Sequence, residues 1–265
     1  MTFGQQADII RGAETINLQE GNSRGILLLH GFGDTPQTLR LLAAELHAAG
    51  YDVRAPLLPG HGRSVESFAA SRRKDWLAFT RSELGAMRQT HESVALAGLS
   101  MGGALASILA AEFTDTPALV LLAPYLDMPF THKIAAATYW LGGADRLRRS
   151  NSPGSIRDPL ERAKNVGYGA YSVRLLHELW RLGVTARQAL PRIVSPTLVV
   201  QSRADPRIKP EVAERALASL GSREKKLVWI EGAGHIITVD YGREQVFREV
   251  REWMDAHVPG LATTA

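Results

Sequence analysis

The stretch from Ser93 to Ala111, SVALAGLSMGGALASILAA, carries the strongest indication of the fold. It opens with an apolar run typical of a buried strand and closes with a helical stripe of Ala104, Leu105, Ile108 and Ala111. The junction Gly98-Leu99-Ser100-Met101-Gly102 is a G-x-S-x-G pentapeptide. This pattern is common by chance, but here it lies between a strand and a helix, which is the context of a nucleophile elbow. We therefore expect a sharp turn that projects the hydroxyl of Ser100 from the carboxyl edge of a sheet.

Apolar runs on both sides of this stretch alternate with helical patterns, as they do in βαβ units. The predicted strands are Gly25–His30, Tyr51–Leu57, Ala118–Ala123, Thr197–Ser202 and Lys226–Glu231. After the first of them, Asp34 or Thr35 can cap a helix that has Pro36 at its first position. A length of 265 residues, with 45% hydrophobic and 22% charged residues, fits one large domain. The sequence thus predicts an α/β fold with a mostly parallel sheet flanked by helices.

The alternation of strands and helices stops after the strand that ends near Ala123. Residues 125–193 hold 7 of the 18 aromatic residues, and 11 Lys and Arg against 5 Asp and Glu, with breaks in the helical pattern at Gly142-Gly143 and around residues 150–155. Since a segment inserted between adjacent strands lies at the sheet edge, we expect a small helical cap, or lid, over that edge. The alternative is a pair of helices that only complete the core. The predicted organisation is a core of residues 1–124 and 194–265 with a cap of residues 125–193.

A serine hydroxyl needs an adjacent base to act as a nucleophile at neutral pH. Of the eight histidines, His235 directly follows the last predicted strand, at the edge where ligands collect in open α/β sheets. Asp205, three residues after the strand 197–202, is the expected acceptor for the imidazole, and Asp127, after the preceding strand, is the rival. The predicted catalytic residues are therefore Ser100, Asp205 and His235, in the chain order of a Ser-Asp-His triad.

The tetrahedral intermediate of acyl transfer is stabilised by N–H groups aimed at its oxyanion. The residue after the nucleophile, Met101, supplies one backbone N–H in this arrangement. We expect the second from the loop His30-Gly31-Phe32-Gly33-Asp34, whose glycines let the backbone turn toward the serine. Phe32 is the best candidate for that donor.

Composition excludes several other classes of protein. There is no Cys, which excludes disulfides, cysteine nucleophiles and thiolate metal sites and fits a reducing, cytoplasmic compartment. The start MTFGQQADIIRGAE lacks the features of a signal peptide, and no apolar run approaches the roughly 20 residues of a membrane span. We expect no stable membrane insertion, while the basic cap leaves weak contact with an anionic surface open. The net charge of +4 is mild and indicates no nucleic-acid partner.

The chain resembles the bacterial carboxylesterase and monoacylglycerol lipase group of the α/β-hydrolase superfamily. The resemblance is carried by the segments LLLHGFGDTPQTLR, APLLPGHGRS, LAGLSMGGALA, PTLVVQSRADPRI and LVWIEGAGHIITVD. It implies an α/β-hydrolase fold, a triad of Ser100, Asp205 and His235, and oxyanion donors at Phe32 and Met101. It further implies hydrolysis of short- to medium-chain esters or monoacylglycerols, a mobile cap, and no metal or cofactor.

The leading hypothesis is a serine carboxylic-ester hydrolase that works through an acyl-enzyme. Thioesterase, amidase and acyltransferase activities would use the same triad and stay open as alternatives. A more remote alternative is a ligand receptor on the same scaffold that does not turn its ligand over. The expected partner is a small-molecule ester or lipid, and the expected assembly is a monomer or a homodimer.

Overall fold

A single twisted sheet forms the centre of the molecule. The computed structural model describes residues 8–128, 130–141, 145–149 and 154–259. In chain order the strands are β1 (Ile16–Leu18), β2 (Arg24–Leu29), β3 (Asp52–Ala55), β4 (Ser93–Leu99), β5 (Leu119–Leu122), β6 (Arg148–Arg149), β7 (Ala170–Tyr171), β8 (Thr197–Ser202) and β9 (Lys225–Ile230). The main sheet has the order β1-β3-β2-β4-β5-β8-β9. Its first strand is antiparallel to β3 and the other pairs are parallel, while β6 and β7 form a separate antiparallel pair.

Helices cover both faces of this sheet. In chain order they are α1 (Arg40–Ala48), α2 (Val65–Ala70), α3 (Arg73–Met87), α4 (Met101–Glu112), α5 (Phe130–Ala137), α6 (Pro159–Ala163), α7 (Val173–Ala189), α8 (Pro210–Ser219) and α9 (Arg243–His257). Short 3₁₀ turns occur at Pro36–Leu39, Tyr139–Leu141 and Leu190–Arg192. No helix in the described ranges is long and apolar enough to cross a membrane.

The period-2 alternation of side chains divides the core into two layers. In β2, Leu27 and Leu29 pack in one layer with α3, α4, α7 and α8. Ile26 and Leu28 of the same strand pack in the other layer with α1 and α9. Because both faces are covered, the central strands are apolar along their whole length, which is the pattern that made them recognisable in the sequence.

The predicted fold class is confirmed, and the differences are local. The predicted strand Tyr51–Leu57 is shorter in the structure, at Asp52–Ala55. The edge strand β1 was not predicted, since its three residues are too few to show an alternation and are held by pairing with β3. Thr35 does stand at the start of the predicted helix, but its side chain makes no capping hydrogen bond, and the first turn is 3₁₀.

The predicted cap segment contains elements of two kinds. Its first part holds α5, the β6–β7 pair and α6, whereas α7 buries Leu175, Leu179 and Leu182 against α4 in the core. Next to these residues, α7 also contributes Leu176 to a small cluster with Met128. The helix α7 thus belongs to the core and also contacts the first part of the predicted cap segment. The predicted glycine break at Gly142-Gly143 and residues 150–153 lie outside the described residues.

Candidate active site

Ser100 lies in a tight turn between β4 and α4. Its backbone has φ 55° and ψ −114°, a conformation that side chains rarely adopt. A Cβ on Gly98 would lie 2.2 Å from the carbonyl oxygen of Gly102, and a Cβ on Gly102 would lie 2.0 Å from that of Leu29. Both positions therefore require glycine, because strand and helix approach too closely for any side chain. The G-x-S-x-G motif forms the strained turn that its sequence context indicated.

The imidazole of His235 joins the other two predicted catalytic side chains. Its Nε2 lies 2.9 Å from Oγ of Ser100, and its Nδ1 lies 2.7 Å from Oδ2 of Asp205. When Nδ1–H donates to the carboxylate, Nε2 is left to accept the serine proton. Both Ser100 and His235 are buried, so water competes little for these hydrogen bonds. The structure thus brings together Ser100 and Asp205, which are 105 positions apart along the chain, and His235, which is 30 positions beyond Asp205.

The carboxylate of Asp205 is held from several directions. Its Oδ1 accepts from the backbone N–H groups of Arg207 at 2.7 Å and Ile208 at 3.0 Å, and the Gln201 side-chain amide donates to Oδ2 at 2.9 Å. Burial acts to raise the pKa of Asp205, but the charge and hydrogen bond of His235 and the backbone N–H groups of Ile208 and Arg207 outweigh it and hold the pKa below its ordinary value. The group is therefore an anion at neutral pH and can stabilise an imidazolium.

The rival carboxylate, Asp127, is not brought to His235. It pairs with Lys133 at 2.8 Å, and Arg215 and Arg187 lie at 3.4 and 3.6 Å. Asp240, five residues beyond His235, accepts from the backbone N–H of Gly234 at 2.6 Å and so supports the histidine loop.

The loop after β2 lies directly beside the nucleophile. A Cβ on Gly31 would be 3.5 Å from Cβ of Ser100, so this backbone passes close to the serine. His30 fixes the loop from behind, because its Nδ1 lies 3.0 Å from the carbonyl oxygen of Gly31 and its Nε2 accepts from the Leu58 N–H at 3.1 Å. The ring of Phe32 packs on aromatic core residues. Within the described residues, the backbone N–H groups of Phe32 and Met101 donate to no protein acceptor, as an oxyanion site requires.

A cavity of about 370 Å³ opens at Ser100 and His235. Its apolar lining, named the apolar half, includes Tyr125, Met128, Leu176 and Leu179, and Met128 and Leu176 belong to one cluster on which Tyr125 packs. Its polar lining, named the polar half, includes Asp34, Ser155, Arg162, Asn165 and Arg207. The cavity thus offers both apolar and polar side chains to a ligand at the candidate nucleophile. In the described residues no group of His, Asp and Glu side chains is arranged to hold a metal ion.

Two residues of the polar half have no counterpart in the sequence-based prediction of the site. Asp34, expected only as a possible helix cap, is buried, and its Oδ1 accepts from the N–H of Thr35 at 3.0 Å. Burial raises the pKa of Asp34 to about 7, although Arg207 and the hydrogen bonds from Thr35 and Thr38 act in the opposite direction. Arg207, two residues beyond Asp205, donates from Nε to Oγ of Ser155 at 2.7 Å. Local pattern could not have indicated the burial of Asp34 or the contact of Arg207 with Ser155, because both depend on residues distant in the sequence.

Comparison with known proteins shows the family to which this chain belongs. The Hydrolase_4 family, described as "Serine aminopeptidase, S33", matches residues 21–241. A thermostable monoacylglycerol lipase of Bacillus sp. (strain H-257) is 31% identical over 256 residues, which cover 96% of this chain and 99% of that protein. A carboxylesterase of Bacillus subtilis (strain 168) is 27% identical over 242 residues, which cover 89% and 94%. A solved structure described as LipS and LipT, two metagenome-derived lipolytic enzymes, has a TM-score of 0.87 at 29% identity and covers 94% of this chain and 100% of its own.

Proposed function

Because the chain belongs to the Hydrolase_4 family of α/β-hydrolases, we propose that it hydrolyses carboxylic esters of short to medium acyl chains, including monoacylglycerols. In this proposal Ser100 is the nucleophile, His235 the general base and Asp205 the residue that orients the imidazole. The observation that carries the proposal is the continuous hydrogen-bonded chain from Ser100 through His235 to Asp205, at 2.9 and 2.7 Å. The relatives named monoacylglycerol lipase and carboxylesterase support this substrate class.

The first half of the reaction forms an acyl-enzyme. His235 takes the proton of Ser100 as Oγ attacks the ester carbonyl carbon, and the carbonyl oxygen becomes an oxyanion. The backbone N–H groups of Phe32 and Met101 receive that oxyanion, and each such donor is typically worth about 3 kcal/mol. The imidazolium then gives its proton to the alcohol oxygen, and the bond between acyl carbon and alcohol oxygen breaks.

The second half returns the enzyme to its starting state. A water molecule takes the place of the alcohol, and Nε2 of His235 removes its proton as it attacks the acyl carbon. The carboxylate of Asp205 stays ionised throughout and stabilises each imidazolium. The ester bond to Ser100 then breaks, the serine regains its proton, and the acid leaves.

We also propose residues 125–193 as the lid of this enzyme. The proposal is supported by the cavity lining, to which this segment contributes Met128, Arg162 and Leu176. A chain without cysteine suits a reducing compartment, so we propose the cytoplasm as its location.

Covalent labelling tests the nucleophile. A fluorophosphonate probe should label the protein, and Ser100→Ala should abolish both labelling and hydrolysis of p-nitrophenyl butanoate. Ser107→Ala is the matched control, because Ser107 lies on α4, the helix that follows Ser100, and its hydroxyl donates to the carbonyl oxygen of Gly103 at 2.8 Å. If labelling persists in Ser100→Ala, a residue other than Ser100 is the nucleophile.

A second comparison separates esters from related substrates. Butanoate as oxygen ester, thioester and p-nitroanilide should give the highest kcat/KM for the oxygen ester. The family description names an aminopeptidase, but the described cavity-lining residues include one carboxyl, Asp34, rather than the acidic cluster that would bind a free amino terminus. A single burst without turnover would instead indicate a receptor, and a higher kcat/KM for the anilide would indicate a peptidase.

A further inference from the structure

Part of the polar half is tied to the loop of His235, the residue that would protonate the leaving alcohol. In the proposed mechanism His235 protonates that alcohol, so the alcohol oxygen lies next to its Nε2. Ser155 is tied to the histidine loop, because its carbonyl oxygen accepts from the backbone N–H groups of His235 and Ile236, each at 2.9 Å. The hydroxyl of the same serine accepts from Nε of Arg207. Arg207 is therefore linked through Ser155 to the loop that carries the proposed proton donor to the alcohol.

Two arginines without a carboxylate partner line this half. Arg162 and Arg207 are both solvent-exposed and face the cavity, and neither forms a salt bridge within the part of the chain that the structure describes. The acidic residues nearest to Arg162 in the sequence, Asp158 and Glu161, are already paired with other basic residues. The acidic side chains nearest in the sequence therefore do not compensate the charge of the Arg162 guanidinium.

The carboxyl group that faces the same space is Asp34, which lies beside the nucleophile. A Cβ on Gly31 would be 3.9 Å from Cβ of Asp34, and the same point is 3.5 Å from Cβ of Ser100. With its pKa raised to about 7 by burial, a large share of this carboxyl is protonated near neutral pH. Asp205, the other carboxylate whose charge acts on Arg207, is already hydrogen-bonded to His235. The polar half therefore carries a net positive charge.

We infer that this half binds the alcohol part of the ester and favours an alcohol that carries a carboxylate or a phosphate, held by Arg162 and Arg207. The inference rests on the proposed function, since it concerns the leaving group of the same reaction. Guanidinium groups bind both anions through paired N–H donors, and a protonated Asp34 adds a donor rather than a repelling charge. The ester carbonyl would then lie at Ser100 with its acyl chain in the apolar half.

The experiment compares three butanoate esters with the same acyl chain, those of glycerol, glyceric acid and glycerol 3-phosphate. At neutral pH the wild-type protein should show a kcat/KM at least about tenfold higher for one or both anionic esters than for the glycerol ester. The ratio of anionic to neutral kcat/KM should fall about tenfold in Arg207→Gln and in Arg162→Gln, and less in Arg207→Lys, which keeps the charge. Added salt should lower the same ratio.

Arg192→Gln is the matched control, since it removes the same charge from an exposed arginine of the proposed lid that does not line the cavity. Its ratio should equal that of the wild type. The glycerate and glycerol-phosphate arms distinguish a carboxylate from a phosphate ligand. A ratio near one in the wild type, or a ratio that the two cavity variants leave unchanged, would overturn the inference.

Failure of the inference and failure of the proposed function give different results. If p-nitrophenyl butanoate and the glycerol ester are hydrolysed and the anionic esters are not preferred, the proposed function holds and the inference of an anionic alcohol is wrong. If none of these esters is hydrolysed and Ser100 is not labelled, the proposed function itself is wrong.

Discussion

Replacing Asp34 by asparagine should change how the stability of the protein depends on pH. The folded protein keeps a proton on Asp34 up to about pH 7, whereas the unfolded chain loses it near the ordinary value of 3.8. Between these values the native state binds more protons than the unfolded state, so the free energy of unfolding falls as the pH rises. The asparagine side chain has no proton to lose, and the variant should lack this part of the decline.

The size of the effect follows from the shift in pKa. Each unit corresponds to about 1.4 kcal/mol, and a folded pKa of about 7 places most of the loss above pH 5. Between about pH 5 and about pH 8, the free energy of unfolding of the wild type should therefore fall by roughly 2–3 kcal/mol more than that of the variant. Effects of the substitution that do not depend on pH cancel in this comparison.

Urea unfolding of both proteins at the two pH values gives the required free energies. Asp127→Asn is a suitable control, because ion pairs hold the pKa of Asp127 below its ordinary value and the group is ionised in both states across this range. Its difference from the wild type should not vary with pH. If Asp34→Asn and the wild type lose equal stability between the two pH values, Asp34 is not a buried group with a raised pKa, and the charge argument for the polar half fails with it.

Three further substitutions test the site and the turn that carries it. Asp205→Asn should lower kcat by on the order of 10⁴, and Asp127→Asn should leave it nearly unchanged, so the reverse outcome would exchange their roles. Gln201→Met removes an amide that donates to Asp205 at 2.9 Å, and we expect a roughly tenfold lower kcat with KM unchanged, whereas equal kinetics would limit Gln201 to filling space. Gly102→Ala would place a Cβ 2.0 Å from a carbonyl oxygen and should destabilise the protein by at least about 2 kcal/mol in thermal unfolding. Gly85→Ala is its control, since a Cβ there meets no atom within 4 Å and should be neutral or stabilising.

The fold could be predicted because its determinants are local in the sequence. Buried strands such as Ser93–Leu99 are continuous apolar runs, and the helix after Ser100 has its own periodicity, so each element is recognisable without its neighbours. The position of Ser100, the proposed nucleophile, also follows from local spacing, since the glycines at positions 98 and 102 are required within a single turn. The edge strand β1 could not be recognised in this way, because pairing with β3 rather than its own composition makes it a strand.

The sequence alone determined the sheet, the turn at Ser100 and the set of side chains from which a triad could be drawn. It left both Asp127 and Asp205 as candidates for the carboxylate that binds the imidazole, because both follow strands that are neighbours in the sheet. A local sequence pattern does not tell how far apart two remote residues lie in the folded protein. Only the tertiary structure places Asp205 at 2.7 Å from His235 and surrounds Asp127 with basic side chains. The same holds for Asp34, whose raised pKa comes from burial, a property of the folded molecule as a whole.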